Sequence, residues 1–313
     1  MKIIGLLSIP KGVLCEKEVL GNIYPGKISG IDFNIAFPSL SVNHQKEINN
    51  TVGMCNPLVA PSIGPELTIF NEKVIWGHPL MAPSMNSFVE NVAIEVDCCE
   101  LTIDEITEKL YTGAKTWADS FKSFLQLITK QQLERKMKGS NCGDSLQLFY
   151  EGKYIENKQP YVLYANFYND KVFASGEDIK QAIAFASSGK ELLLEYQMLL
   201  SAYKAQKDHK NRQAIIDACS AIEICLTNWI KNFANKKGFN FEILTDKYRS
   251  LGERFKLVSR LDPSFPSLDF NNIIIKPRNN VAHNRDIYPS NECTAKLIEM
   301  VENYLNYYHT VYY

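Results

Sequence analysis

The sequence predicts an α+β amino-terminal domain over residues 1–187, a mainly antiparallel sheet with one long helix, followed by an all-α helical bundle over residues 188–313. Three observations lead there. Up to about residue 100, short apolar runs alternate with Pro, Gly and Asn, the pattern of strands between turns. From Thr102 the apolar residues switch to three- and four-residue steps. After the break at Ser187-Ser188-Gly189 that helical period returns and persists to the end of the chain.

In the first half, strands are expected at Ile3–Ile9, Lys27–Phe37, Leu67–Trp76 and Asn91–Asp97, with long loops in the Asn-, Pro-, Ser- and Gly-dense stretch 42–85. His44 and His78 fall in that stretch with no Asp, Glu or Cys cluster beside them, and read as structural or solvent-exposed. Thr102-Ile103-Asp104-Glu105 has the form of a capping box, a hydroxyl followed three residues later by a glutamate. The long helix it opens carries Ile103, Ile106, Leu110, Ala114, Trp117, Phe121, Phe124, Leu125 and Ile128 on one stripe and is expected to end near Lys138-Gly139-Ser140. Aromatics at helical spacing are core far more often than a ligand cradle. Further strands are expected at Leu146–Tyr150, Tyr161–Phe167 and Val172–Ala174, then a short helix from Ser175 to Ser187.

In the second half, Leu192, Leu193, Tyr196, Leu199, Leu200 and Tyr203 follow the helical template and define a first bundle helix. The second carries Ile215, Ala218, Cys219, Ile222, Cys225, Leu226, Trp229 and Phe233, and Gly238 stops it. Phe241, Leu244, Tyr248, Leu251, Phe255 and Val258 predict one third helix ending at Asp262-Pro263. An apolar segment at Leu268–Ile275 leads into Pro277, which is welcome in a first helical turn and predicts a helix starting or restarting there. Ser290 caps a last helix with the stripe Leu297, Ile298, Val301, Tyr304, Leu305 and Tyr308.

Composition is that of a globular protein: 45% hydrophobic, 22% charged, net charge −1, so no global basic field advertises a polyanionic partner. The charge is uneven. Residues 187–313 hold 17 Lys+Arg against 14 Asp+Glu, and 229–260 hold 8 against 3. The eight cysteines form no CxxC pair and have no His at zinc spacing, which argues against a structural metal and fits a reducing cytosol. No stretch approaches the ~20 apolar residues of a membrane span, and the first ten residues are too broken for a signal peptide. The expected location is cytoplasmic, with no membrane partner, no metal and no cofactor.

The chemistry-bearing stretch is Lys276-Pro277-Arg278-Asn279-Asn280-Val281-Ala282-His283. Histidine both takes and gives a proton near neutrality. The planar fork of arginine matches two phosphate oxygens at once. The bland alternative is a surface arginine at a helix end and a histidine bonded to backbone. Glu223 lies at the edge of the apolar face of the second bundle helix, where a carboxylate requires a partner. Arg278 and Asn279 in a first helical turn would leave backbone N–H groups free for phosphate. On an undistorted helix, however, Arg278 and His283 are about 140° apart. Either a break at Pro277 reorients Arg278, or two copies of the segment meet across a dimer.

Arg278-Asn279-Asn280-Val281-Ala282-His283 between amphipathic helices, together with Ala221-Ile222-Glu223, resembles the HEPN family of helical ribonuclease and toxin domains over residues 187–313. The resemblance implies a metal-independent endoribonuclease acting on single-stranded or looped RNA, in which the 2′-OH attacks the adjacent phosphate. His283 would transfer the proton, Arg278 would hold the developing charge, Asn279 would orient a neighbour, and Glu223 would steer one of them. Lys276 and Arg285 would add RNA contacts; Arg285 stands where one branch of the family has a tyrosine. The resemblance further implies a homodimer with a composite active site. It also implies a toxin or abortive-infection antiviral role, in which the amino-terminal sensor or regulatory domain responds to an antitoxin or a phage-derived trigger. The main rival is a catalytically inactive dimerisation or RNA-binding module. A small-molecule enzyme in the amino-terminal domain lacks a Gly-rich phosphate loop or a nucleophile–base pair, and a large polar-lined pocket there would revive it.

Overall fold

The structure, a computed structural model, describes residues 2–40, 58–63, 68–69, 72–74, 76–79, 86–97, 101–131, 133, 146–150, 153–155, 173–265, 269–283 and 288–309. The chain divides into two compact units, Met1–Lys190 and Glu191–Tyr313. The first is built on an antiparallel sheet and the second is helical.

Among the described residues, the strands of the first unit are β1 (Lys2–Cys15), β2 (Ile23–Ile28), β3 (Ile31–Ala36), β4 (Thr68–Ile69), β5 (Glu72–Lys73), β6 (Gly77–Pro79), β7 (Ser87–Asp97), β8 (Leu146–Tyr150) and β9 (Lys153–Ile155). Seven of them form one sheet in the order β2-β3-β7-β1-β8-β9, with β6 also on β7. β4 and β5 pair apart from it.

Strand β1 outruns the expected Ile3–Ile9. The Pro10 and Gly12 that read as its end are taken up in an irregularity between Ser8 and Val13, with Gly12 at φ +57°. The single strand expected over Lys27–Phe37 is a hairpin instead, because Ser29 (φ +48°) and Gly30 (φ +84°) form a tight two-residue turn. Pro25 sits in outer strand β2 opposite Asn34, where its missing N–H removes no ladder bond. Next to it, the ring of Phe33 lies over Gly26, close enough that a Cβ there would come within 2.7 Å of it.

Helix α1 (Ile103–Thr129) opens with the expected capping box: Thr102 Oγ1 accepts from Glu105 N–H at 3.3 Å, and the Glu105 carboxylate accepts from Thr102 N–H at 2.8 Å. Thr102→Ala is expected to cost about 1 kcal/mol, measurable as a lower urea midpoint at unchanged slope. The helix stops nine residues before Lys138, with Lys130 left-handed at φ 59°. Gln131 then leaves the helical path to pair with β1, its side-chain amide accepting from Leu14 N–H at 3.0 Å and donating to Leu14 O at 2.8 Å. Residues 134–145, including the expected end, lie outside the described residues, as do Tyr161–Phe167 and His44.

Trp117, Phe121 and Phe124 are buried core: Trp117 stacks on Phe121, Phe33 meets Trp117 edge-on, and Phe124 stacks on Phe185. Phe185 belongs to α2 (Gly176–Ser187), capped by Ser175. At Val172–Ala174 the described part is a single bridge, Ala174 to Cys15.

The second unit holds α3 (Leu194–Lys207), α4 (Asn211–Lys237), α5 (Phe241–Lys247), α6 (Leu251–Leu261), a π-helical turn (Asn271–Ile275), α7 (Lys276–His283) and α8 (Asn291–Tyr308). Gly238 ends α4 in the left-handed region, as its lack of a Cβ allows. The expected third helix is two. Ser250 accepts from Glu253 N–H in another capping box, which restarts the chain as α6. The core is formed by α3, α4 and α8, where Tyr196, Leu199, Ile222, Leu226, Leu297, Val301 and Leu305 are all essentially inaccessible. Among the described residues no helix is long and apolar enough to cross a membrane.

Candidate functional site

Helix α7 carries the Arg278–His283 segment and is held from both ends. At its start, Phe270 stacks on Phe255 with ring centroids 3.6 Å apart and meets Tyr304 edge-on. At its end, Arg212 on α4 donates to the Val281 carbonyl at 2.6 Å, satisfying an acceptor that the last turn of a helix leaves open. Between them Val281 and Ile274 are buried at 2% and 0%.

The α-helix restarts at Lys276, one residue before Pro277, but not from a bare end. The wide turn Asn271–Ile275 runs straight into it: Phe270 and Lys276 both have helical angles, and Lys276 N–H donates five residues back to Asn271 O. Three consecutive isoleucines crowd a normal helical turn, and a proline clashes with the carbonyl four residues before it; a π turn relieves both. Arg278 and Asn279 are therefore not at a bare helix end, and the expected cradle of free N–H groups for phosphate is not formed there.

Both Arg278 and His283 lie within α7, downstream of the irregular turn. No break separates them, so they keep the ~140° offset of an undistorted helix. His283 and Asn279 are exposed and Arg278 is half-buried, with Arg278 Nη1 donating to Asn279 Oδ1 at 3.3 Å. Lys276 is exposed, and its amino group donates to Asn272 Oδ1. Arg285 lies outside the described residues.

Glu223 is half-buried, and Arg254 Nη1 donates to its Oε1 at 2.9 Å. The same nitrogen reaches Thr227 Oγ1 at 3.0 Å, while Arg254 Nε donates to Tyr248 O at 3.2 Å. Burial pushes the Cys219 thiol up to about 12, while the charge of Arg278 pulls it down and that of Glu223 pushes it further up. Cys219 stands one turn before Glu223 on α4, so Arg278, Glu223 and Arg254 act on one stretch of that helix.

Arg254 and Arg212 are absent from the sequence-based set. Arg254 had a signal: it falls on the stripe Leu251, Arg254, Phe255, Val258, and a charge on an apolar stripe demands a buried partner. Arg212, at the second position of α4, carried none.

Among the described residues, no group of three His, Cys, Asp or Glu is placed to hold a metal ion. In the first unit, an open cleft of about 550 Å³ is lined by Asp32, Asn34, Glu95 and Asp97 among others. Two of its carboxylates are paired, Asp32 with Lys27 at 3.0 Å and Glu95 with Lys2 at 2.9 Å. Among the described residues its lining includes no Ser, Cys or His. Comparison with protein-family models, with curated proteins and with solved structures finds no match for this chain.

Proposed function

We propose that the protein is a metal-independent endoribonuclease of the HEPN type, cleaving single-stranded or looped RNA, with the helical unit as its nuclease part. The reading rests chiefly on one observation: His283 stands in solvent on the same short helix as Arg278, with Asn279 bonded to that arginine. The substrate 2′-OH attacks the adjacent phosphorus, His283 transfers the proton, and the P–O5′ bond breaks to leave a 2′,3′-cyclic phosphate. Arg278 holds the charge that accumulates on the phosphoryl oxygens. Glu223, already engaged by Arg254, acts at a distance by fixing the charge around Arg278.

Because one helix holds Arg278 and His283 about 140° apart, the complete site is composite, made where two copies bring their α7 segments together about a twofold axis. Lys276 and Arg285 extend the contact along the RNA. The buried thiols Cys219 and Cys225, both pushed up to about 12 by burial, suit a reducing cytoplasm. The biological reading is a toxin or abortive-infection effector, held or released through the first unit by an antitoxin or a phage-derived trigger.

The test is incubation of the purified protein with mixed RNA in chelator, beside His283→Ala. Cleavage by the wild type that the variant lacks supports the reading. Equal cleavage by both, or none by either at high protein concentration, overturns it in favour of a silent dimerisation or RNA-binding module.

A further inference from the structure

Helix α4 outruns its neighbours. Asn211 at its start donates to Asn291 Oδ1 at the start of α8 at 2.7 Å, and His309, just past the end of α8, lies 3.8 Å from Cys225. The two helices therefore run side by side in the same direction, and α4 continues for about three more turns to Lys237. On that overhang the apolar face is only partly covered. Trp229 and Phe233 are half-buried, and Phe239, just past the helix, is 56% exposed.

The three rings are stacked in series. Trp229 and Phe233 have centroids 5.3 Å apart with planes 14° from parallel; Phe233 and Phe239 are 6.2 Å apart at 26°. Phe239 is held rather than loose. Gly238 turns the chain at φ +71°, and Phe239 N–H donates to Ala234 O at 2.9 Å, closing the helix end beneath the ring. Lys231, Lys236 and Lys237 are exposed on the same segment, and no acidic residue lies between Glu223 and Glu242. A protein-binding patch is depleted of lysine at its centre. Stacked aromatic faces interleaved with lysines are instead the pattern that takes unpaired bases on the rings and phosphates on the amines.

We propose that this end of α4 is a stacking platform for single-stranded RNA, with Phe239 receiving the outermost base and Lys236 and Lys237 meeting the backbone. That the strand is RNA rests on the nuclease reading above; the platform itself requires no cleavage.

The experiment uses the full chain carrying His283→Ala and a fluorescein-labelled oligouridine, read by anisotropy and by tryptophan emission. Trp76 and Trp117 are buried in the other unit at 5% and 4%, so quenching reports on Trp229. Phe239→Ala is expected to weaken binding about ten-fold, Phe239→Trp to preserve it, and Lys236→Ala with Lys237→Ala to flatten its salt dependence. Oligouridine bound equally well by Phe239→Ala overturns the platform. So does a concentration-dependent dimer that Phe239→Ala dissolves without changing RNA affinity, which would assign the patch to a second copy. Binding that depends on Phe239 in a protein whose wild type cuts no RNA retains the platform and removes the nuclease. Cleavage with a silent Phe239 does the reverse.

Discussion

Replacement of His283 by alanine is expected to slow RNA cleavage by on the order of 10²- to 10⁴-fold, the usual contribution of a positioned proton-transfer group. Arg278→Ala is expected to lose about 10²- to 10³-fold, since it removes a preformed positive charge from the developing one. The geometry adds a sharper outcome. Both side chains belong to one uninterrupted helix, α7, and diverge around it. If the working pair is Arg278 from one copy and His283 from the other, then Arg278→Ala and His283→Ala proteins, each silent alone, complement on mixing. A random mixture is expected to recover roughly a quarter of wild-type activity, because half the dimers are mixed and each holds one intact pair. Subunit exchange under mild denaturant followed by a cleavage assay measures it. No recovery, with exchange verified by mass, would place both residues in a single-chain site and remove the reason for the dimer.

His309→Ala is expected to destabilise the protein by about 3 kcal/mol, read as the loss in a urea unfolding curve. Glu195 lies in the first turn of α3 and is only 2% exposed. His309 Nε2 stands 2.9 Å from its Oε1, and the ring of Tyr196 lies against the imidazole. Removing the imidazole strands a buried carboxylate. Glu195→Gln in the His309→Ala background is expected to restore most of the loss, since it removes the stranded charge while keeping the shape.

The pH profile follows from the same group. Burial alone would raise the Glu195 pKa, but the His309 contact and hydrogen bonds from its own backbone and Asn228 outweigh burial and hold it below the ordinary glutamate value. A carboxyl depressed in the folded state stabilises above its unfolded pKa and loses that contribution as pH falls through the folded one. Stability should therefore fall in the acid below the usual glutamate range, and that fall should shrink or reverse in His309→Ala, where the remaining burial pushes the Glu195 carboxyl up. An unchanged acid limb would mean that His309 does not set the ionisation of Glu195.

How far the sequence could be read depended on whether a signal was local. The capping box at Thr102 and the left-handed stop at Gly238 are written in two to four adjacent residues, and the structure has both. The Ser29-Gly30 turn was equally local but lay inside an apolar run, whose period hid it. Misread ends have another cause. Strand β1 passes Pro10 and Gly12 because β7 holds it on the far side, and α1 stops early because Gln131 bonds to Leu14 more than a hundred residues away. In the helical unit, the Ser250 cap hidden in one long stripe divided α5 from α6. At the candidate site, residue types and helix were legible in 276–283, but the wide turn before Pro277 and the arginines that fix its surroundings were not. Arg254 and Arg212 act through contacts made only when distant helices pack.

Pro25 in strand β2 bears on how copies of this chain can meet. An open sheet margin is a template for an incoming strand, and fibres grow by that route. At this margin, a foreign strand would meet a ring where it seeks an N–H, in a strand only six residues long. Edge-to-edge growth is thereby discouraged on that side.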